Sequence, residues 1–182
     1  MRKIALILMI SFFGIKSFSQ SPTKTEIQDW LKEKIEAFTH DFNNPGIGEF
    51  GTDKYEVEFN DCRITIKRKY DATHSNPFNG ELSKKYFYTT YEIPIKELSR
   101  LHFNDDTSKI SKMVFKIKSN DSLIKVITET NYAGYSLETK YINIASLYIP
   151  NNLLKANLPE RLTKAFDNLI ELCGGKVTKE VF

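Results

Sequence analysis

The chain carries three histidines, His40, His74 and His102, and two cysteines, Cys62 and Cys173, as its candidates for metal ligation, general-base work or thiol chemistry. A zinc site gathers several such ligands around one point. No histidine here lies within four residues of another, and none sits in a His-x-His pattern. The nearest approaches to a ligand pair are His40-Asp41 and His102 with Asp105 and Asp106. Asn104-Asp105-Asp106-Thr107-Ser108 clusters hard oxygen ligands of the kind calcium takes, without the spacing of a calcium loop, and reads as a polar turn. No Gly-x-Ser-x-Gly elbow occurs. Gly46-Ile47-Gly48-Glu49-Phe50-Gly51 matches the letters of the dinucleotide fingerprint, whose chemistry needs a strand before it and a helix after it. Here a helix precedes and a strand follows, so the segment reads as a connector. The spacing therefore leads us to expect no catalytic residue, no cofactor and no metal.

The cysteines have a second use. Residues 1–19 have the build of a cleaved secretory signal: Arg2 and Lys3, an apolar run from Ile4 to Ile15, then Ser17 and Ser19 flanking a cleavage point before Gln20. The run is shorter than the roughly 20 residues of a spanning helix, so no membrane span is expected after the signal is removed. An exported, periplasmic or secreted protein meets an oxidising compartment, which favours pairing of Cys62 with Cys173. Two separately buried free thiols are the alternative. Composition also suits a bacterial source.

Removal of residues 1–19 from the 182-residue chain leaves 163, one domain by length. Arg2, Lys3 and Lys16 leave with the signal, so 26 basic and 23 acidic side chains become 23 of each. A basic field for nucleic acid is absent from such a chain, and no nucleic-acid partner is expected. Arg63, Lys67 and Lys69 share one face of a strand and read as a solvated surface.

The elements that must position these residues follow from periodicity. Thr23-Lys24-Thr25-Glu26 is a capping box. Ile27, Trp30, Leu31, Ile35, Phe38 and Phe42 recur behind it at helical spacing. Tyr55, Val57 and Phe59, then Cys62, Ile64 and Ile66, alternate across an Asn60-Asp61 turn as a β-hairpin. Asp71–Ser83 reads as a polar loop and Lys84–Ile93 as a third strand. Ile95–Leu101 reads as a helical turn, and Ile110–Lys118 and Leu123–Thr130 as further strands. Leu137–Ile149 makes a sixth strand or two strands. Asn157 and Pro159 open a closing helix with a stripe of Leu158, Leu162, Ala165, Phe166, Leu169, Ile170 and Cys173, stopped by Gly174-Gly175. The expected fold is α+β: an N-terminal helix, a bent antiparallel sheet or partly open barrel of about six strands, and a closing C-terminal helix.

The third strand carries aromatics on both faces, Tyr86 and Tyr88 on one, Phe87 and Tyr91 on the other. The first helix is expected to cover the outer face with its own stripe. The alternative is a binding surface that draws on Tyr86, Tyr88 and Tyr91.

By element order, residues Lys54 to Gly175 resemble the pleckstrin-homology-like superfold. The segment Leu162 to Gly175 is similar to the closing helix of small uncharacterised exported bacterial proteins, a resemblance that implies no activity. The first helix is extra to that superfold, which has seven strands. Its basic lipid-headgroup loop has no counterpart here, so phosphoinositide binding is not carried over. The expected function is an exported, non-enzymatic binding or interaction module for an unknown protein or small ligand. The alternative is a small periplasmic hydrolase built from dispersed residues.

Overall fold

The computed structural model describes residues 21–44, 49–76, 78–105, 110–150 and 157–177. The signal-like segment, residues 46–48 of the glycine-rich connector and residues 106–108 of the polar turn lie outside that set. The fold is α+β: the described residues form two α-helices and nine strands, in two antiparallel sheets that do not close into a barrel.

Helix α1 spans Lys24–Glu36. Its capping box forms: the Glu26 backbone N–H donates to the Thr23 hydroxyl, and the Thr23 N–H donates to the Glu26 carboxylate at 2.7 Å. That backbone hydrogen bond holds the Glu26 carboxyl below its ordinary range. The helix stops earlier than its apolar stripe implied. The chain after it becomes strand β1, His40–Asn44, which pairs with the start of β2, Glu49–Asn60. Past Asp53, β1 no longer covers β2. There α1 takes over the edge, and Glu36 accepts the Val57 backbone N–H at 2.9 Å. A free strand edge is thereby satisfied by a helix side chain.

The remaining strands are β3 (Arg63–Ser75), β4 (Leu82–Pro94), β5 (His102–Asp105), β6 (Ile110–Lys116), β7 (Ile124–Thr130), β8 (Ser136–Ile142) and β9 (Ile144–Pro150). The large sheet runs β1-β2-β3-β4-β7-β8, and the small one β5-β6-β9. The strand count exceeds the expected six for identifiable reasons. The chain changes sheet at Asn143, so one long apolar run serves as β8 in one sheet and β9 in the other. Segments read as helix end or loop, His40–Asn44 and His102–Asp105, are paired edge strands. β3 also runs to Ser75, through half of the expected polar loop.

The second helix, α2, spans Leu158–Leu172 with Pro159 in its first turn. Asn157 sits before it in the left-handed region and its side chain makes no cap hydrogen bond. Gly174, with φ of 76°, follows it. The core lies between the two sheets and is closed by both helices. It joins Ile27, Leu31 and Ile35 of α1 to Val57, Ile64, Ile66 and Ile93 of the large sheet. Met113, Phe115 and Leu147 of the small sheet and Leu162, Phe166 and Ile170 of α2 complete it. Cys62, the second residue of the two-residue β2–β3 turn, and Cys173, at the end of α2, are joined as a disulfide with Cα atoms 5.6 Å apart. The bridge ties the last helix to the first hairpin across 111 residues. Among the described residues, no helix is long and apolar enough to cross a membrane.

Candidate binding site on the open half of the large sheet

Strands β2, β3 and β4 are 12 to 13 residues long, nearly twice the length of the small-sheet strands that face them. One end of their inner face is core. The Tyr55 hydroxyl marks the seam. It donates to the Tyr148 carbonyl and accepts the Tyr148 N–H, each at 3.0 Å, and so pins the large sheet to β9. Burial raises the Tyr55 phenol well above its ordinary range and keeps it a neutral donor.

Beyond that seam the inner face turns polar and aromatic. The register sets Asp53 opposite Tyr70, Tyr55 opposite Arg68, Arg68 opposite Thr89 and Tyr70 opposite Phe87. Arg68 reaches diagonally to Asp53 as a fork: Nη2 to Oδ2 at 2.6 Å, and Nε to Oδ1 at 3.0 Å and to Oδ2 at 3.2 Å. Burial alone would weaken the guanidinium charge. The hydrogen bonds to Asp53, together with the electrostatic contributions of Tyr55, Asp53 and Tyr91, outweigh it and hold Arg68 above its ordinary range. The Tyr148 ring lies 5.0 Å from the guanidinium carbon on the seam side.

Glu49, buried at the start of β2, accepts two phenol hydroxyls. Tyr132 donates at 2.6 Å and Tyr70 at 3.3 Å. Tyr132 stands in the β7–β8 turn and reaches across β4 and β3 to make this bond. Burial first, and Glu49 second, push the Tyr132 and Tyr70 phenols up. Both stay protonated and donating across the neutral range. Arg68, Tyr70, Phe87 and Tyr132 line a depression of about 300 Å³. Its wall is aromatic, and its polar groups are an internally neutralised ion pair and a carboxylate already holding two donors. None of the four residues that line it is a histidine or a cysteine, and His74 stands opposite Glu49 at the end of the β2–β3 pair. The arrangement suits recognition by stacking and hydrogen bonding, not covalent chemistry.

The residues singled out from the sequence fall elsewhere. Tyr86 and Tyr88 lie on the opposite, outer face of β4, stacked at 4.8 Å between ring centroids. Tyr91 has the other parity. It lies opposite Ile66 and Val126 and packs against the core. The three tyrosines therefore do not share one surface. The expected cover over Tyr86 and Tyr88 is also absent: α1 packs on β2 and α2 instead. Its stripe found the core, where Val57 and Leu162 offered apolar surface, and the outer face is left partly exposed. There Tyr88 donates to Asp71 at 2.5 Å, with the Lys67 ammonium 5.1 Å from the ring centroid.

The hydrogen bond to Asp71, followed by burial, raises the Tyr88 phenol to about 12. The sign of the linkage follows. Below the unfolded value of about 10 the phenol is neutral in both states and the bond contributes fully. Between about 10 and about 12 the unfolded chain ionises first, so this contribution is lost as pH rises. The melting temperature of wild type is expected to fall over that window, and that of Tyr88→Phe to fall less. Identical alkaline slopes for the two would remove Tyr88 as a cause.

A second concavity, of about 570 Å³, lies between β5 and α2. Arg100, His102, Glu160, Thr163 and Asp167 line it. Asp167 Oδ1 is buried with no hydrogen-bond partner among the described residues, and burial raises its carboxyl above the ordinary range. Arg100 Nε approaches the other oxygen only to 3.7 Å. A histidine and an acid thus converge in one cleft, as a hydrolase would need. The nucleophile does not follow. The Thr163 hydroxyl donates to the Pro159 carbonyl at 2.9 Å within its own helix, and Cys62 is held in the disulfide. Among the described residues, no group of three or more histidine, cysteine, aspartate or glutamate side chains could hold a metal ion.

Sequence reasoning missed Glu49, Asp53, Arg68 and Tyr132. A signal for two of them exists. Arg68 has the parity of Ile64, Ile66 and Tyr70, and Asp53 that of Tyr55, Val57 and Phe59. A charge on the apolar parity of each strand of a hairpin marks a buried pair. Tyr132 carries no such signal, because only the topology brings its turn over β2. No family model matches this chain, and no curated protein or solved structure does.

Proposed function

We propose that this chain is an exported, non-enzymatic binding module whose ligand seat is the open half of the large sheet's inner face. The observation that carries the reading is the depression lined by Arg68, Tyr70, Phe87 and Tyr132 over the Arg68–Asp53 pair and Glu49. Its volume, about 300 Å³, is at the small end of ligand pockets. Aromatic faces take the C–H face of a ring, while guanidinium, phenol and carboxylate groups take hydroxyls at its rim. The arginine is neutralised in place by Asp53 and the Glu49 carboxylate is held by two phenol hydroxyls, so the seat offers no unpaired positive charge to an anionic ligand. The ligand class with that chemistry is a small neutral saccharide. Export is supported by the signal-like residues 1–19 and by the Cys62–Cys173 bridge, which suits an oxidising compartment.

The experiment is calorimetric titration of the disulfide-bonded protein with a panel of neutral mono- and disaccharides, repeated on Phe87→Ala. Phe87 is 37 % exposed, so its loss leaves the core intact. At least one saccharide is expected to bind wild type and to lose tenfold or more in affinity with the variant, about 1.4 kcal/mol. Binding that Phe87→Ala leaves unchanged would move the site elsewhere.

A second reading, a small hydrolase, is favoured by one observation: the cleft that gathers His102 with Asp167. A water between them would have to be the nucleophile. Loss of a measured hydrolytic activity in His102→Ala, with the melting temperature kept, would select that reading over the first.

A further inference from the structure

The large sheet ends at β8, and β8 has no strand on its far side among the described residues. Six of its seven residues, Ser136 to Tyr141, are exposed, with Leu137 at 58 % and Tyr141 at 61 %. An edge this long and this apolar is a template for another strand, unless it is blunted. Its register against β7 fixes which face each side chain takes. Leu137, Thr139 and Tyr141 lie with Glu129, Ile127 and Lys125 on the outer face. Glu138 and Lys140 lie with Thr128 and Val126 on the inner one. Neither Glu138 nor Lys140 forms an ion pair among the described residues.

The order of these residues is self-complementary. Consider β8 laid antiparallel against the β8 of a second copy, with the two-fold axis through Thr139. Leu137 then meets the partner copy's residue 141, a tyrosine, and Tyr141 meets its residue 137, a leucine. On the other face Glu138 meets residue 140, a lysine, and Lys140 meets residue 138, a glutamate. The apolar pair falls on one face and the charge pair on the other, each made twice by symmetry. An isologous interface requires this of a sequence. Directly opposed aromatic–aliphatic and opposite-charge pairs stabilise antiparallel pairing, and like charges there oppose it.

We propose that β8 pairs with the β8 of a second copy of this chain, so that two six-stranded sheets join into one continuous sheet about a two-fold axis at Thr139. A seven-residue strand pair is smaller than a standard interface of about 1,600 Å², so the dimer dissociates on dilution.

Sedimentation velocity on the purified disulfide-bonded protein, between about 1 µM and about 500 µM, brackets a weak interface. Wild type is expected to pass from monomer to dimer over that range. Glu138→Lys alone puts lysine opposite lysine twice, and Lys140→Glu alone puts glutamate opposite glutamate twice. Each single variant is expected to raise the dissociation constant tenfold or more. The double exchange E138K/K140E restores opposite charges and is expected to restore the dimer. An equimolar mixture of the two single variants is expected to form the heterodimer. Both substituted positions are exposed on the strand edge, so melting temperatures serve as the control for folding. A wild type that stays monomeric throughout would overturn the proposal and mark Glu138 and Lys140 as charges that keep the edge unpaired. A dimer that neither single variant weakens, or single variants that fail to associate when mixed, would overturn it equally.

Discussion

Replacing Cys62 and Cys173 by serine together is expected to lower the unfolding free energy by about 4–5 kcal/mol, the chain-entropy value for a closed loop of this length. The bridge spans 111 residues, so it removes most of the long-range freedom of the unfolded chain. It also acts at a chosen place. Cys62 lies in the β2–β3 turn, which is held from the α1 side by the ion pair of Lys24 with Asp61 and by the Gln28 side chain, which donates to the Asp61 carbonyl at 2.8 Å. Cys173 follows α2. The bridge thus locks the closing helix against the β2–β3 turn, to which α1 is also tied. A typical domain has about 5–15 kcal/mol in all, so the reduced protein should approach the edge of folding. Denaturant unfolding of the oxidised protein and the double serine variant measures the difference. A loss under about 1 kcal/mol would show that the unfolded chain is already compact around this pair.

Phe166→Ala is expected to cost about 3–5 kcal/mol, the range for emptying a fully buried aromatic site. Phe166 is fully buried at the centre of α2's stripe, with its ring edge-on to Phe115 at 5.4 Å between centroids. That contact joins α2 to β6, so the cavity would open where helix and small sheet meet. Truncation before Asn157 removes Leu162, Phe166, Leu169 and Ile170 together with Cys173, and is expected to give an unfolded or aggregating product. An exposed arm for a partner would behave otherwise: both variants would melt near wild type, and the closing helix would then be no part of the core.

The parts of this fold that were legible in the sequence are those set by neighbours in the chain. The Thr23–Glu26 capping box, the β2–β3 hairpin and the stripe of α2 depend on spacings of one to four residues, and each forms, the hairpin with its two-residue turn one place later than expected, at Asp61-Cys62, because Asn60 still pairs with Arg63. The parts that were not legible depend on what lies across space. α1 ends at Glu36 although its stripe continues through Phe38, because the next residues pair with β2. The run from Leu137 to Ile149 has one alternation but serves two sheets. The candidate site is a matter of which half of a long sheet receives a cover. Local pattern places Arg68 on the inner parity, yet only the position of β9 decides that Arg68 lies at the seam and Tyr70 beyond it. Tyr132 is the extreme case, since its bond to Glu49 joins residues 83 apart in the chain.

The central claim, that the open half of the inner face is the ligand seat, is tested most directly by amide and side-chain chemical shifts. Isotope-labelled, disulfide-bonded protein would be titrated with the neutral saccharide panel. Shifts are expected to saturate and to cluster on Arg68, Tyr70, Phe87 and Tyr132, with the Arg100–Asp167 cleft unmoved. Saturating shifts confined to His102, Thr163 and Asp167, or none at the tyrosine-lined face at millimolar saccharide, would contradict it.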